Sequence, residues 1–140
     1  MSDVSYTYFK QQLLNGANNL AGLNLKLCLV RIGGGHYVVS PSSDQFLSAI
    51  AVGDRVAISP VLTTVTVTNG IFNAGNTVFA AVPAGPAAGA LVLFIDTGNP
   101  ATSQLIAYFD SYSGLPVTPS GADINVSFNT GANKIFALIG

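Results

Sequence analysis

The chain of 140 residues carries very little charge. Asp, Glu, Lys and Arg make up 8 % of it, and glutamate is absent, whereas these four residue types account for about a quarter of an ordinary globular domain. The five basic residues are scattered, so no basic cluster is present to neutralise phosphates, and we expect no nucleic-acid partner. With a formal net charge of −1, the chain has little electrostatic resistance to association, which favours a protein that works in many copies.

Residues that carry chemistry are also scarce. The chain has one cysteine, Cys28, one histidine, His36, and no tryptophan. Zinc sites and hydrolytic triads need several ligands or a partnered histidine, so we expect no metal, no cofactor and no enzymatic activity. Cys28 is predicted to be a small packing residue, and His36 a loop residue without a chemical role. A carbohydrate-binding jelly roll, which uses aromatic platforms, is disfavoured by the lack of tryptophan.

Two further patterns resemble sites but have simpler interpretations. The glycines at 33–35 precede "HYVV" and not a Lys-Ser/Thr pair with a helix, so they predict a turn and not a phosphate loop. Asp96, Asp110 and Asp123 follow or precede predicted strands, where aspartate is ordinary turn chemistry. Calcium binding, and after it glycoside hydrolysis, are the alternatives for these three carboxylates.

The longest uncharged tract covers residues 56–95, which contain neither a charged residue nor a histidine. Its part "VFAAVPAGPAAGALVLFI" is as long as a membrane span, but Pro83, Pro86 and Gly85 break any continuous helix there. We therefore expect a strand, a loop and the strand "ALVLFID", and no membrane. The start "MSDVSYTYFK" lacks the basic and apolar pattern of a signal peptide, so secretion by the general route is not expected.

The remaining composition is that of a globular protein. Apolar residues make up 49 % of the chain, and a protein of 14.3 kDa buries about two thirds of the surface of its unfolded chain. We therefore expect one domain over residues 1–140.

The first element is predicted to be a helix within residues 1–16. Tyr6, Phe9 and Leu13 share one face, Asp3 or Ser5 caps the start, and the pair at 15–16 ends the helix.

The later elements read mainly as strands. In "LNLKLCLVR" the leucines alternate with other residues, which predicts a half-buried strand with its leucine face inward. A glycine-rich loop with a short strand at 37–39 follows, and "SDQFLSAI" predicts one or two helical turns capped by Ser43 or Asp44. "RVAIS" and "TTVTVT" predict strands, with a turn at 69–70.

Two hairpins are predicted in the C-terminal half. "ALVLFID" pairs with "QLIAYFDS" in the first, and "DINVSF" with "NKIFALI" in the second. About eight strands with frequent turns predict a mainly β, single-domain fold. We expect an antiparallel β-sandwich or a jelly-roll-like arrangement with a short N-terminal helix.

The sequence also suggests where other subunits would make contact. Tyr8 points away from the apolar face of the predicted helix. For a tyrosine near a terminus, a contact with another subunit and packing in the core are equal alternatives. The small-residue loop formed by Pro83, Ala84, Gly85 and Pro86 is the second predicted interface.

Several longer stretches resemble a family of small structural proteins from the virions of tailed double-stranded DNA phages. They are "YTYFKQQLLNG", "FLSAIAVGDRVA", "LTTVTVTNGIFNAGNTVFAAV" and the ending "ALVLFIDTGNPATSQLIAYFDSYSGLPVTPSGADINVSFNTGANKIFAL". The order of hairpin, "GLPVTP" loop and terminal hairpin is the most specific part. The chain departs from that family after its first strand and at 69–76, where relatives carry acidic residues and "RIGGGHYVV" and "NGIFNAGN" do not.

The resemblance implies a capsid decoration (cement) protein, made in the host cytoplasm and located on the exterior of the virion capsid. Its partners would be the major capsid protein and further copies of itself, as a homotrimer that bridges capsid subunits. A ring-forming neck or tail joining protein is the alternative.

Overall fold

The computed structural model describes residues 3–17, 19–69, 71–110, 115–126 and, by backbone alone, 136–137. In these residues the chain is mainly antiparallel β-structure with one α-helix near the N-terminus, which confirms the predicted fold class. The helix is α1 (Thr7–Leu14). The strands are β1 (Val4–Ser5), β2 (Leu25–Val30), β3 (Arg55–Ile58), β4 (Thr66–Thr68), β5 (Ile71–Asn73), β6 (Thr77–Phe79), β7 (Ala90–Ile95), β8 (Leu105–Phe109), β9 (Ile124–Val126) and β10 (Phe136–Ala137).

A five-stranded sheet in the order β1-β8-β7-β2-β3 forms the centre of the molecule. Its strand β7 is a run of six apolar residues, all of them buried, as expected of a strand that is covered on both faces. β7 and β8 pair as the predicted hairpin. A single apolar cluster joins this sheet to side chains of the smaller sheets, among them Phe72 and Phe79.

Strand β2 shows one departure from its predicted pattern. Leu25, Leu27 and Leu29 are buried as expected, but Cys28 and Val30 on the opposite face are buried as well. The half-buried assignment was therefore wrong, because other parts of the chain cover both faces of the sheet at its centre.

The smaller sheets have the orders β10-β5-β4 and β6-β9. β4 and β5 form a hairpin in which Thr68 lies opposite Ile71, and Asn69 has a φ of 54° in the turn, as the turn signal at 69–70 predicts. The hairpin predicted between the last two strands lies mostly outside the described residues, which hold only β9 and β10 of it. There β9 pairs with β6, and β10 pairs with β5.

Helix α1 packs on β8 through the predicted face. Phe9 is buried and Leu13 lies against the core, and Gly16 has a φ of +77°, as the pair at 15–16 predicts for the helix end. The predicted caps were wrong: Tyr6 occupies the N-cap without a side-chain cap, and Asp3 accepts a hydrogen bond from the Asp110 N–H. Tyr6 can be buried because its hydroxyl has a hydrogen-bond partner, the hydroxyl of Tyr37.

That partner belongs to a buried chain of hydrogen bonds between the helix start and the loop after β2. The Tyr37 hydroxyl lies 2.7 Å from Asp44 Oδ2, to which it donates, and the Tyr6 hydroxyl donates to Tyr37 at 2.8 Å. Tyr37 forms only an isolated bridge with Ile32, so the predicted strand at 37–39 was wrong. The predicted helical turn further on is a 3-10 helix, Leu47–Ala49, without the predicted side-chain cap.

Candidate functional site: an uncharged end of the central sheet

The loop of residues 83–87 is an exposed part of the uncharged tract. All five of its residues are exposed, while Val82 and Ala88 on either side are buried. Backbone hydrogen bonds fix both ends, since Ala88 exchanges two bonds with Val117 at 2.8 and 2.9 Å and Val82 accepts one from Gly121 at 2.8 Å. The predicted interface residues in this loop therefore form a fixed protrusion.

Local chemistry explains why the loop is both rigid and exposed. Pro83 and Pro86 each have a restricted φ, and the Gly85 N–H donates to the carbonyl of Pro119 at 3.3 Å. The alanine, glycine and proline side chains bring little apolar area, so burying them would stabilise the fold little. At the base of the loop Ala81 has a φ of 46°, and its N–H donates to Asp123 Oδ1 at 2.7 Å.

Two other exposed segments begin at the same end of the five-stranded sheet. Residues 33–35 follow the end of β2, and residues 51–53 precede the start of β3. Gly89, just before β7, donates to the Val30 carbonyl at 3.0 Å, and the Arg31 N–H donates to the Asp54 carbonyl at 2.9 Å. We call the exposed residues 33–35, 51–53 and 83–87 the neutral end, because none of them is charged.

The turn at 33–35 requires glycine. All three residues have a φ between 56° and 88°, a region that side chains disfavour. This confirms the prediction of a turn, and it leaves backbone groups without side-chain cover on the surface.

Large apolar side chains are exposed beside these backbone groups. Val52 in the neutral end is 77 % exposed, and Val38, after the glycine turn, is 78 % exposed. An exposed valine alone needs no explanation. Beside uncharged loops, however, the two valines extend a surface suited to contact with another protein.

Three ionisable side chains beside the neutral end contact one another. His36 Nδ1 lies 2.7 Å from Asp54 Oδ1, and Arg31 Nη2 lies 2.7 Å from His36 Nε2. The sequence did not indicate this cluster, because Asp54 is 18 residues from His36 and only the β2–β3 pairing brings them together. The three side chains satisfy one another, so they add little net charge to this end.

Tyr8, the other predicted interface residue, lies elsewhere. Its ring packs on Phe46 with the centroids 5.4 Å apart, and its hydroxyl accepts a hydrogen bond from Gln12 at 3.0 Å. Phe46 pairs with Gln104 at the start of β8, which is the opposite end of the sheet from residues 83–87. The structure therefore does not bring Tyr8 and the loop together, and a contact at either place remains a prediction.

Cys28 has the packing role that the sequence predicts. It is fully buried, and burial raises the pKa of its thiol to about 12. Since the thiolate is the reactive form, the thiol is inert in the folded protein.

Two of the three aspartates at strand ends, Asp96 and Asp123, hold separate parts of the fold. Asp96 Oδ2 lies 2.7 Å from Lys26 Nζ, and the other carboxylate oxygen accepts from the Gly98 N–H. The hydrogen bond with Lys26, and then that with Gly98, hold the pKa of Asp96 below its usual range. Asp96 follows β7 and Asp110 follows β8, and because these strands are antiparallel the two aspartates lie at opposite ends of the sheet. Asp123 accepts a hydrogen bond from the Ala81 N–H.

In the ranges that the structure describes, no three His, Cys, Asp or Glu side chains are grouped to hold a metal ion. Within the same ranges no helix has the length and hydropathy to cross a bilayer. No protein-family model matches the chain, and no curated protein matches it.

Proposed function

We propose that this protein is a structural subunit of a phage virion, a capsid decoration protein that attaches to the outer capsid lattice as a homotrimer and bridges neighbouring capsid subunits. The neutral end carries the proposal. It is a fixed and exposed surface without charged residues, and the Arg31, His36 and Asp54 side chains beside it are paired within the chain. The phage setting comes from the sequence resemblance, and the neutral end supports the assembly role.

The chemistry of the neutral end suits attachment to another protein surface. A partner that covers the neutral end buries no unpaired charge, because the neutral end has none. The turns of the neutral end present backbone groups that can hydrogen-bond with the partner. Because hydrogen bonds already hold residues 83–87 in place, little conformational entropy is lost on binding. A trimer would engage several capsid subunits at once, so modest contacts would add up to firm attachment.

Weak salt dependence is a consequence of this mechanism. Surfaces without net charge gain little from electrostatic steering, so added salt screens little. We expect the isolated protein to self-associate at tens of micromolar with almost the same strength at low and high salt. A dispersed monomer in sedimentation at this concentration would contradict the trimer.

A charge placed in the loop tests the surface directly. Ala84→Asp would bury an unpaired carboxylate in the contact, and we expect it to weaken attachment to heads that lack the protein by about tenfold or more. The matched control is Ala101→Asp, an exposed alanine in the β7–β8 loop at the opposite end of the sheet. Both variants should keep the parent's unfolding midpoint, because both sites are exposed.

Copy number in purified virions separates decoration from the alternative. Decoration of the whole shell predicts on the order of hundreds of copies, and a neck or tail ring predicts about twelve. Equal attachment of the Ala84→Asp and Ala101→Asp proteins would show that the neutral end is not the contact surface.

A further inference from the structure

The tautomer of His36 follows from its two partners. An arginine side chain has only donors, so the contact of 2.7 Å between Arg31 Nη2 and His36 Nε2 requires Nε2 to accept. The ring proton is then on Nδ1 and is donated to Asp54 Oδ1 at 2.7 Å. In this arrangement the imidazole is neutral, and Arg31 and Asp54 balance each other's charge.

This cluster connects two of the three segments of the neutral end. His36 directly follows the glycine turn at 33–35, and Asp54 ends the 3-10 helix Val52–Asp54. The side chains of His36 and Asp54 are 32 % and 14 % exposed. A proton from solvent therefore reaches the ring without unfolding, and the half-buried Arg31 has a short path to water.

A proton on Nε2 is incompatible with the arrangement. Both ring nitrogens would then be donors, and the one facing Arg31 would meet a second donor and a second positive charge. Asp54 would keep its bond to Nδ1. Arg55, the next charged neighbour, donates its Nε–H to the Ile50 carbonyl and offers Arg31 no acceptor. Asp3 and Asp110 lie beyond β7, at the β1–β8 side of this end.

We propose that Arg31, His36 and Asp54 form a pH-sensitive switch in the neutral end. Protonation of His36 releases Arg31 to the surface and adds one positive charge beside the neutral end, while the bond from Nδ1 to Asp54 is kept. This inference rests on the proposed function for its consequence, which is that attachment weakens when a fall in pH protonates the ring.

The switch itself is tested on the free protein by heteronuclear NMR of the His36 ring and the Arg31 guanidinium. While the ring is neutral we expect the Nδ1–H tautomer and a protected Arg31 side chain; once a fall in pH protonates the ring, we expect Arg31 signals typical of a solvated guanidinium. An Nε2–H tautomer at the higher pH would overturn the proposal, as would Arg31 signals that do not change while the ring titrates.

Attachment to heads provides the second test. His36→Gln keeps one donor and one acceptor but does not titrate, so the ratio of its affinities at about pH 5.5 and 7.5 should stay near one, while that of the parent falls about fivefold or more. Equal ratios for both proteins would overturn the switch. If neither protein attaches at any pH, the proposed function fails, and the NMR result still decides whether His36 releases Arg31.

Discussion

Strand β7 and the loop of residues 83–87 are close neighbours in one uncharged tract, yet they differ completely in burial. Every residue of β7 is buried and every residue of the loop is exposed. β7 consists mainly of leucine, valine, phenylalanine and isoleucine, each worth about 1.5–3 kcal/mol when fully buried. The loop has only proline, alanine and glycine. Lack of charge therefore does not decide burial, and apolar side-chain area does.

The two regions also differ in what they need from their surroundings. β7 pairs with β2 on one edge and with β8 on the other, so its backbone hydrogen bonds are satisfied within one chain. The neutral end has no charges to hold water and, apart from Val52, no large apolar side chain to bury. Its exposed, fixed and uncharged surface is explained if another protein covers it.

The largest expected effect on the free energy of unfolding comes from a substitution in the buried strand β7. Leu93→Ala removes a fully buried side chain from the middle of β7, and we expect the free energy of unfolding to fall by about 2–5 kcal/mol. Val52→Ala, which shortens an exposed side chain in the neutral end, should change it by less than about 0.5 kcal/mol. Urea unfolding of both variants measures the difference, and equal losses would mean that the burial pattern is wrong.

A smaller effect is expected where the two regions join, at Gly89. A Cβ placed there would lie 2.7 Å from Cγ1 and 2.9 Å from Cδ1 of Ile32, so Ile32 has to move. We expect Gly89→Ala to cost about 1–3 kcal/mol of unfolding free energy. The double variant with Ile32→Ala should lose less unfolding free energy than the sum of the losses in the two single variants. Strict additivity in the urea data would show that the two side chains do not meet.

The smallest effect concerns the tyrosines beside the buried sheet. Burial raises the pKa of Tyr108 to about 12, and burial also raises the pKa of Tyr6. Between pH 10, the ordinary tyrosine value, and about 12, the unfolded chain loses these protons while the folded chain keeps them. The free energy of unfolding should therefore fall as the pH rises through this window.

Tyr108→Phe tests this assignment, because phenylalanine has no proton to lose. Its free energy of unfolding should fall less steeply than the parent's above about pH 10. The slopes of both proteins below that pH should agree. Identical slopes throughout would show that Tyr108 does not contribute to the alkaline loss.

The sequence predicted those features that depend on local patterns. The six apolar residues of β7, the turn at Asn69 between β4 and β5, and the helix end at Gly16 are each encoded within a few residues, and the structure has all three. The loop at 83–87 could be predicted to be exposed, since proline, alanine and glycine offer little to bury.

Features that depend on distant partners were not predictable in this way. His36 obtains its role from Asp54 and Arg31, which only the pairing of β2 with β3 places beside it. The double burial of β2 and the pairings of β9 and β10 likewise depend on which strands meet. The contact of Tyr8 with Phe46 was not predictable either, because the two residues are 38 positions apart in the chain.

Amide hydrogen exchange on attached protein tests the central claim most directly. We predict that the amides of Ala84, Gly85 and Ala87 exchange much more slowly on phage heads than in the free protein, while those of residues 97–102, at the opposite end of the sheet, exchange at the same rate in both. Unchanged exchange at 84–87 in protein that is firmly attached would contradict the account, because the neutral end would then face water in the assembly.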